Sequence, residues 1–182
     1  MLGIELTSGG KMEEIKVLIN KAKLEKRIEE LAKQIEKDYK GKDIVFIGVL
    51  KGCTMFFIDL AKRISNDIAF EFVEISSYEG TESTGRISLN KALTESIKGK
   101  DVIIIEDIID TGRTLQYLVE LLKSKEPRSL KIATLLSKPS RRVIDLNVDY
   151  IGFQIDDLFV VGYGLDYNQK YRNLPYIGYI ES

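Results

Sequence analysis

Glu106 and Asp107 stand just upstream of Asp110-Thr111-Gly112-Arg113-Thr114, and that spacing brings two kinds of chemistry into one short stretch. The second group offers backbone N–H donors and two threonine hydroxyls where a helix begins, which suits a phosphate monoester. Its glycine lets the backbone approach an oxygen closely. The first group offers acceptors, which serve sugar hydroxyls better than a second phosphate. A ribose 5-phosphate satisfies both halves. The pattern is neither Gly-x-Gly-x-x-Gly nor Gly-x-x-x-x-Gly-Lys-Ser/Thr, so the dinucleotide and P-loop readings fail.

Absences narrow the chemistry further. The 182 residues include no histidine, which removes Ser-His-Asp triads, Cys-His nucleophiles and histidine metal sites. Cys53 is the single cysteine, in an apolar neighbourhood, and cannot form a Cys-x-x-Cys pair. Acid–base work falls to carboxylates, lysines or tyrosines. With 27 basic and 28 acidic residues the net charge is −1, so no overall positive field draws a polyanion and nucleic acid is not the expected partner. No run reaches the roughly 18 apolar residues of a membrane span, and no signal-peptide pattern opens the chain, so a cytoplasmic protein is expected.

The elements that must position these residues follow from periodicity. Residues 1–14 show no sustained period and read as a flexible arm ahead of one domain spanning 15–182. Asn20 is a candidate N-cap, after which Leu24, Ile28, Leu31, Ile35 and Tyr39 form one apolar helix stripe closed by Gly41. Ile44 to Leu50 is continuously apolar and β-branched, as in a strand covered on both faces, and a helix is expected from Thr54 to about Ile64. Ile68 to Ile75 and Ile87 to Leu93 read as strands around a polar loop, Ser76 to Ser88. Val102 to Ile105 is a strand, the residues from Glu106 to Thr114 its loop, and Leu115, Leu118, Val119 and Leu122 the buried stripe of the next helix. Further strands are expected at Leu130 to Leu136, Tyr150 to Phe153 and Phe159 to Gly162. Strands alternating with helices predict an α/β fold with a mostly parallel central sheet flanked by helices, and ligands sit outside the carboxyl ends of such strands.

The run Ile103 to Gly112 resembles the phosphoribosyl-pyrophosphate signature of the purine and pyrimidine phosphoribosyltransferases. Leu50-Lys51-Gly52, Ser77-Tyr78, Lys138-Pro139 with Arg142, and Phe159 to Asn168 with Tyr171-Arg172 resemble the bacterial type of hypoxanthine-guanine phosphoribosyltransferases, in that family's order. Five ordered blocks make chance similarity an inadequate explanation. Ser137 departs from the family pattern, standing before Lys138 where an acidic residue is frequent.

The resemblance implies the type I phosphoribosyltransferase fold with a small hood built from the N- and C-terminal segments. It implies transfer of ribose 5-phosphate from phosphoribosyl pyrophosphate to N9 of hypoxanthine or guanine, giving IMP or GMP, with Mg2+. Glu106 and Asp107 would hold the ribose hydroxyls, and the metal through these or through water. Asp110, Thr111, Gly112, Arg113 and Thr114 would bind the 5-phosphate, with Asp110 also the base for the purine N7 proton. Lys51 and Gly52, beside a non-proline cis bond, and Arg172 would bind pyrophosphate. Phe159 would stack on the purine, Val160 meet its edge, Lys138 donate to O6, and Asp166 carry a second magnesium at the purine site. Ser77 and Tyr78 would belong to a flap, and a homodimer or homotetramer is expected.

Taken singly, each block also has an ordinary reading. Asp110 to Thr114 fits a capped strand-to-helix turn, Lys51-Gly52 a plain turn, Lys138 and Arg142 surface charges, Phe159 a core residue, and Arg172 an ion-pair partner. A relative using xanthine or a pyrimidine would share the phosphate loop but differ in the base pocket. An RNA-binding regulator on the same fold would need a basic stripe, whereas the basic residues here alternate with acids.

Overall fold

The structure, a computed structural model, describes residues 14–77 and 87–181. The flexible-arm expectation for residues 1–14 therefore falls, but for Glu14, outside the described residues, as does Tyr78. The elements are β1 (Ile15–Ile19), α1 (Lys21–Asp38), β2 (Ile44–Leu50), α2 (Thr54–Ala61), β3 (Ile68–Ser77), β4 (Ile87–Lys91), β5 (Asp101–Ile109), α3 (Arg113–Lys123), β6 (Ser129–Ser137), a 3-10 turn (Pro139–Arg141), β7 (Tyr150–Gln154), β8 (Val160–Val161) and β9 (Ile177–Ile180).

Six strands form the central sheet in the order β4-β3-β2-β5-β6-β7. Every pairing is parallel except β3 with β4. The continuous apolar runs of β2 and β5 are explained by burial on both faces. Ile44, Phe46, Ile103 and Ile105 pack in the cluster that takes in α1 and α2, while Val45, Ile47, Val102 and Ile104 pack with the α3 stripe. The α1 stripe is buried as its spacing predicts, at Leu24, Ile28, Leu31 and Ile35, and the Asn20 side chain accepts from Lys23 N at 2.9 Å. Arg27 ties this helix to the sheet edge by donating to the carbonyls of Gly152 at 2.8 Å and Ile151 at 2.7 Å.

The boundary of the strand that carries the acidic pair differs from expectation. β5 continues through Glu106 and Asp107 to Ile109, because Glu106, Ile108 and Ile109 stay in register with Thr134, Leu136 and Ser137 of β6. The two carboxylates thus project from the last turns of a strand rather than from a loop. A second sheet, β1-β9-β8, is antiparallel and joins the two ends of the chain, which is the hood. No helix among the described residues is long and apolar enough to cross a membrane.

Candidate functional site

The carboxyl ends of β2, β5, β6 and β8 converge, and each delivers one part of the site. β5 ends at Ile109, and Gly112, with φ of 85°, turns the chain into α3. That left-handed geometry favours glycine over any residue with a Cβ. The carbonyls of this turn are already taken: Val143 N and Ile144 N donate to Thr111 O at 3.2 and 3.3 Å, and Arg142 Nε donates to Asp110 O at 3.2 Å. Arg142 Nη2 also donates to the Ser137 hydroxyl at 3.0 Å, so the residue that departs from the family pattern helps brace the loop. With these carbonyls pinned, the first-turn amides of α3 remain as donors for an anion, Arg113 N being held only by a long 3.5 Å bond to the Thr111 hydroxyl.

Beneath the turn, Glu106 and Asp107 bring two carboxyl groups together. Both have some open surface, yet protein surrounds the carboxyl groups closely. Burial raises the Glu106 pKa well above the usual carboxylate range, and the adjacent Asp107 charge adds to it. Burial also raises Asp107, against the hydrogen bonding from Glu106 and from Ile108 N, which donates to Oδ1 at 2.8 Å. Such a pair gains from added positive charge or from hydroxyl donors, which is what a hydrated magnesium ion and a ribose diol supply. Among the described residues no group of three acidic, histidine or cysteine side chains forms a metal cage. An ion held by these two carboxylates would complete its shell with waters and substrate oxygens.

The β2 end packs directly on this pair. The Leu50-Lys51 peptide is cis, and a Cβ at Gly52 would lie 1.6 Å from Asp107 Oδ2. On the other side, a Cβ at Gly164 would lie 2.1 Å from Gly52 O. The loop is thus wedged between β5 and the segment after β8. Arg172 fastens that segment, donating to Gly164 O at 2.7 Å and pairing with Asp166 at 2.8 Å. Asp166 accepts from Gln169 N at 2.8 Å on its other oxygen. The Cys53 thiol beside the loop is fully buried, and burial pushes its pKa up, which makes it inert.

Lys138 follows β6 and is 7% exposed, with Nζ lying 3.5 Å from Asp110 Oδ1 and 3.4 Å from Asp157 Oδ1. Asp110 Oδ1 is buried without a hydrogen-bond partner, since the lysine stands too far off to count as one. Phe159 is 53% exposed and meets Tyr167 edge to face at 5.4 Å, while Val160 is buried in β8. Ser77 closes β3 opposite Ile87. Two cavities elsewhere, about 620 Å³ near Lys37 and Asn66 and about 210 Å³ near Met55 and Tyr163, contain none of the carboxylates of this cleft.

All the sequence-derived positions that fall among described residues, Ser77 apart, lie on or beside these strand ends. Reasoning from sequence missed Asp157 as a partner of Lys138, and saw Arg142 only as part of a block. Neither had a spacing signal, because the contacts cross between separate strand ends.

The phosphoribosyl transferase domain model matches residues 16–168, which leaves Arg172 and β9 beyond the match. A hypoxanthine-guanine phosphoribosyltransferase of Staphylococcus aureus is 52% identical over 163 residues, covering 89% of this chain and 91% of the relative. The bifunctional protein TilS/HprT of Listeria monocytogenes is 47% identical over 167 residues, but this chain spans only 26% of that relative's length. The crystal structure of a hypoxanthine-guanine phosphoribosyltransferase from Bacillus anthracis, with HEPES in the active site, superposes with a TM-score of 0.87 at 46% identity, covering 93% of this chain and 99% of the other.

Proposed function

The chain belongs to the phosphoribosyl transferase family, and on that premise we propose that it transfers the 5-phosphoribosyl group of phosphoribosyl pyrophosphate to N9 of hypoxanthine or guanine, a purine-salvage reaction yielding IMP or GMP and pyrophosphate. The observation that carries this reading is the placement of the neighbouring carboxyl groups of Glu106 and Asp107 between the Gly52 loop and the glycine-turned start of α3.

In this reading the 5-phosphate sits on the turn Asp110 to Thr114, where Thr111, Gly112, Arg113 and Thr114 supply amides and hydroxyls. Glu106 and Asp107 accept from the ribose hydroxyls and fix the sugar. Lys51 and Gly52 face the pyrophosphate from one side and Arg172 from the other, so negative charge building on the leaving oxygens meets fixed donors. Glu106 and Asp107, through ribose hydroxyls or water, would hold magnesium, and Asp166 a second ion at a lone pair left by Arg172; when bound, the metal neutralises the departing charge.

Phe159 stacks on the purine and the Val160 backbone meets its edge. Lys138 donates to O6. An exocyclic amino group in that place would set donor against donor, which disfavours adenine by several kcal/mol, on the order of 1–3 per unmet group. Asp110, with its buried unpartnered Oδ1, takes the N7 proton as N9 bonds to the anomeric carbon. Ser77 and Tyr78 belong to a flap that shields the reacting carbon from water. The protein works in the cytoplasm, with residues 15–182 as the catalytic unit. It forms a homodimer or homotetramer, for which the exposed Met55 and Ile58 of α2 and Phe70 of β3 offer apolar surface.

The test is pyrophosphate release with phosphoribosyl pyrophosphate, magnesium, and hypoxanthine, guanine, xanthine, adenine, orotate or uracil in parallel. Hypoxanthine and guanine should turn over and adenine should not, with Asp110→Asn slower by about 10²–10⁴-fold in kcat. Turnover of a pyrimidine alone would replace the 6-oxopurine reading. Tight donor binding with no turnover of any base would favour a regulator.

A further inference from the structure

Resting on the reading of Lys138 as the donor to the purine 6-oxygen, we propose that Asp157 is the positioning residue that holds this lysine in place, and so helps determine which purine is accepted. The Lys138 ammonium lies between two carboxylates, 3.4 Å from Asp157 Oδ1 and 3.5 Å from Asp110 Oδ1. Lys138 Nζ donates a long hydrogen bond to Asp157 Oδ1 and none to Asp110 Oδ1, so the ammonium is held from the Asp157 side and keeps donors for a substrate acceptor. Arg141 Nη1 lies 3.4 Å from Asp157 Oδ2, which restrains that carboxylate from turning both oxygens on the lysine.

The backbone fixes the arrangement. Lys138 N donates to Ile109 O at 3.0 Å, joining it to the end of β5, and Ile155 N donates to Ser137 O at 2.9 Å, joining the Asp157 turn to the end of β6. Phe159 follows two residues later, so the stacking ring and the carboxylate that sets the lysine share one short connection into β8.

Asp157 has a specific task because its counterpart changes charge. When Asp110 takes the N7 proton it stops compensating Lys138, which is nearly buried and needs a partner. Asp157 keeps that compensation throughout. In its absence Asp110 is the only carboxylate left within 4.0 Å of the ammonium among the described residues, and Lys138 closes on it. That movement would fill the unpartnered Asp110 Oδ1 and withdraw the donor from the 6-oxygen.

The experiment measures nucleotide affinity by calorimetry for the full chain and for Asp157→Asn, Asp157→Glu, Lys138→Met and the Asp157→Asn/Lys138→Met double variant. The ligands are IMP and the corresponding purine nucleotide without a 6-oxygen. Asp157→Asn should weaken IMP about fivefold, as for a charge-assisted hydrogen bond in a partly exposed site. It should leave the 6-unsubstituted nucleotide unchanged, Asp157→Glu should recover part of the loss, and the Lys138→Met background should show no further loss. Equal weakening of both nucleotides, unchanged IMP affinity in Asp157→Asn, or a loss that persists without Lys138 would each overturn the proposal. If the unaltered chain failed to bind IMP, the purine reading itself would fall, and this inference with it.

Discussion

A carboxyl group enclosed by protein and by a second carboxylate holds its proton, and Glu106 is in that position. Its folded-state pKa is raised, so the stability it contributes is fully present below its ordinary value of 4.5 and is lost as pH rises through the raised value. Ionising Glu106 beside Asp107 therefore works against the fold. Glu106→Gln should melt higher than the unaltered chain at pH 7, by about 2–4 °C for each kcal/mol relieved. The gap should close as pH falls toward 4.5, and it should shrink when magnesium and phosphoribosyl pyrophosphate are added. Thermal melts from pH 4.5 to 8 check this, and a variant that melts lower at pH 7 would show that the carboxylate is a structural partner. A site that is costly when empty and satisfied by its ligand is the expected outcome when residues are kept for binding.

At the level of the elements, the decisive contact is the close approach of β2, β5 and the segment after β8. Gly52→Ala would place a methyl 1.6 Å from Asp107 Oδ2, so either the loop or the acidic pair must move. Overpacking of this kind costs about 1–3 kcal/mol, and a small displacement at a reacting centre costs up to about 10²-fold in rate. The KM for phosphoribosyl pyrophosphate should rise with it. Gly41→Ala is the contrast: it has a left-handed φ of 71° but nothing within 4 Å, so backbone strain alone should lower its melting point and leave that KM unchanged. Equal kinetic effects from the two substitutions would contradict the account.

The same elements show what the sequence could reveal. α1 and β2 were legible because their stripe and apolar run each have a single physical reading, and α3 because Gly112 marks its start. The continuation of β5 to Ile109 was hidden, since Glu106 and Asp107 interrupt the apolar run and only pairing with β6 keeps them in the strand. β9 was missed because Ile177 to Ile180 is short and owes its existence to partners at the far end of the chain, β1 and β8. The candidates from Glu106 to Thr114 were legible from their own types and spacing, whereas those on the other strand ends came only from the ordered blocks of the resemblance. The Lys138–Asp157 contact had no signal at all, being a meeting of two turns.

Across the whole molecule the two edges of the central sheet differ in kind. At the amino ends of the strands, charges are settled: Asp101 accepts from Arg128 and from Ser129 Oγ, Asp149 accepts from Ile132 N at 2.9 Å, and Asp38 accepts from the Tyr150 hydroxyl at 2.7 Å. Tyr39 Oη is the exception there among the described residues. At the carboxyl ends, burial and the neighbouring Asp107 raise the Glu106 pKa, Asp110 Oδ1 lacks a hydrogen-bond partner and Lys138 is shared. The amino ends are internally paired and the carboxyl ends are less so, which is the arrangement expected of an open parallel sheet with its site at the strand carboxyl ends. The central claim is that this edge joins a ribose 5-phosphate to a 6-oxopurine. The most direct measurement is to mix the chain with phosphoribosyl pyrophosphate, magnesium and hypoxanthine, and to quantify nucleotide and pyrophosphate together by chromatography. Equal amounts of IMP and pyrophosphate, with none when adenine replaces hypoxanthine, is the predicted result; pyrophosphate without nucleotide, or neither product, would contradict it.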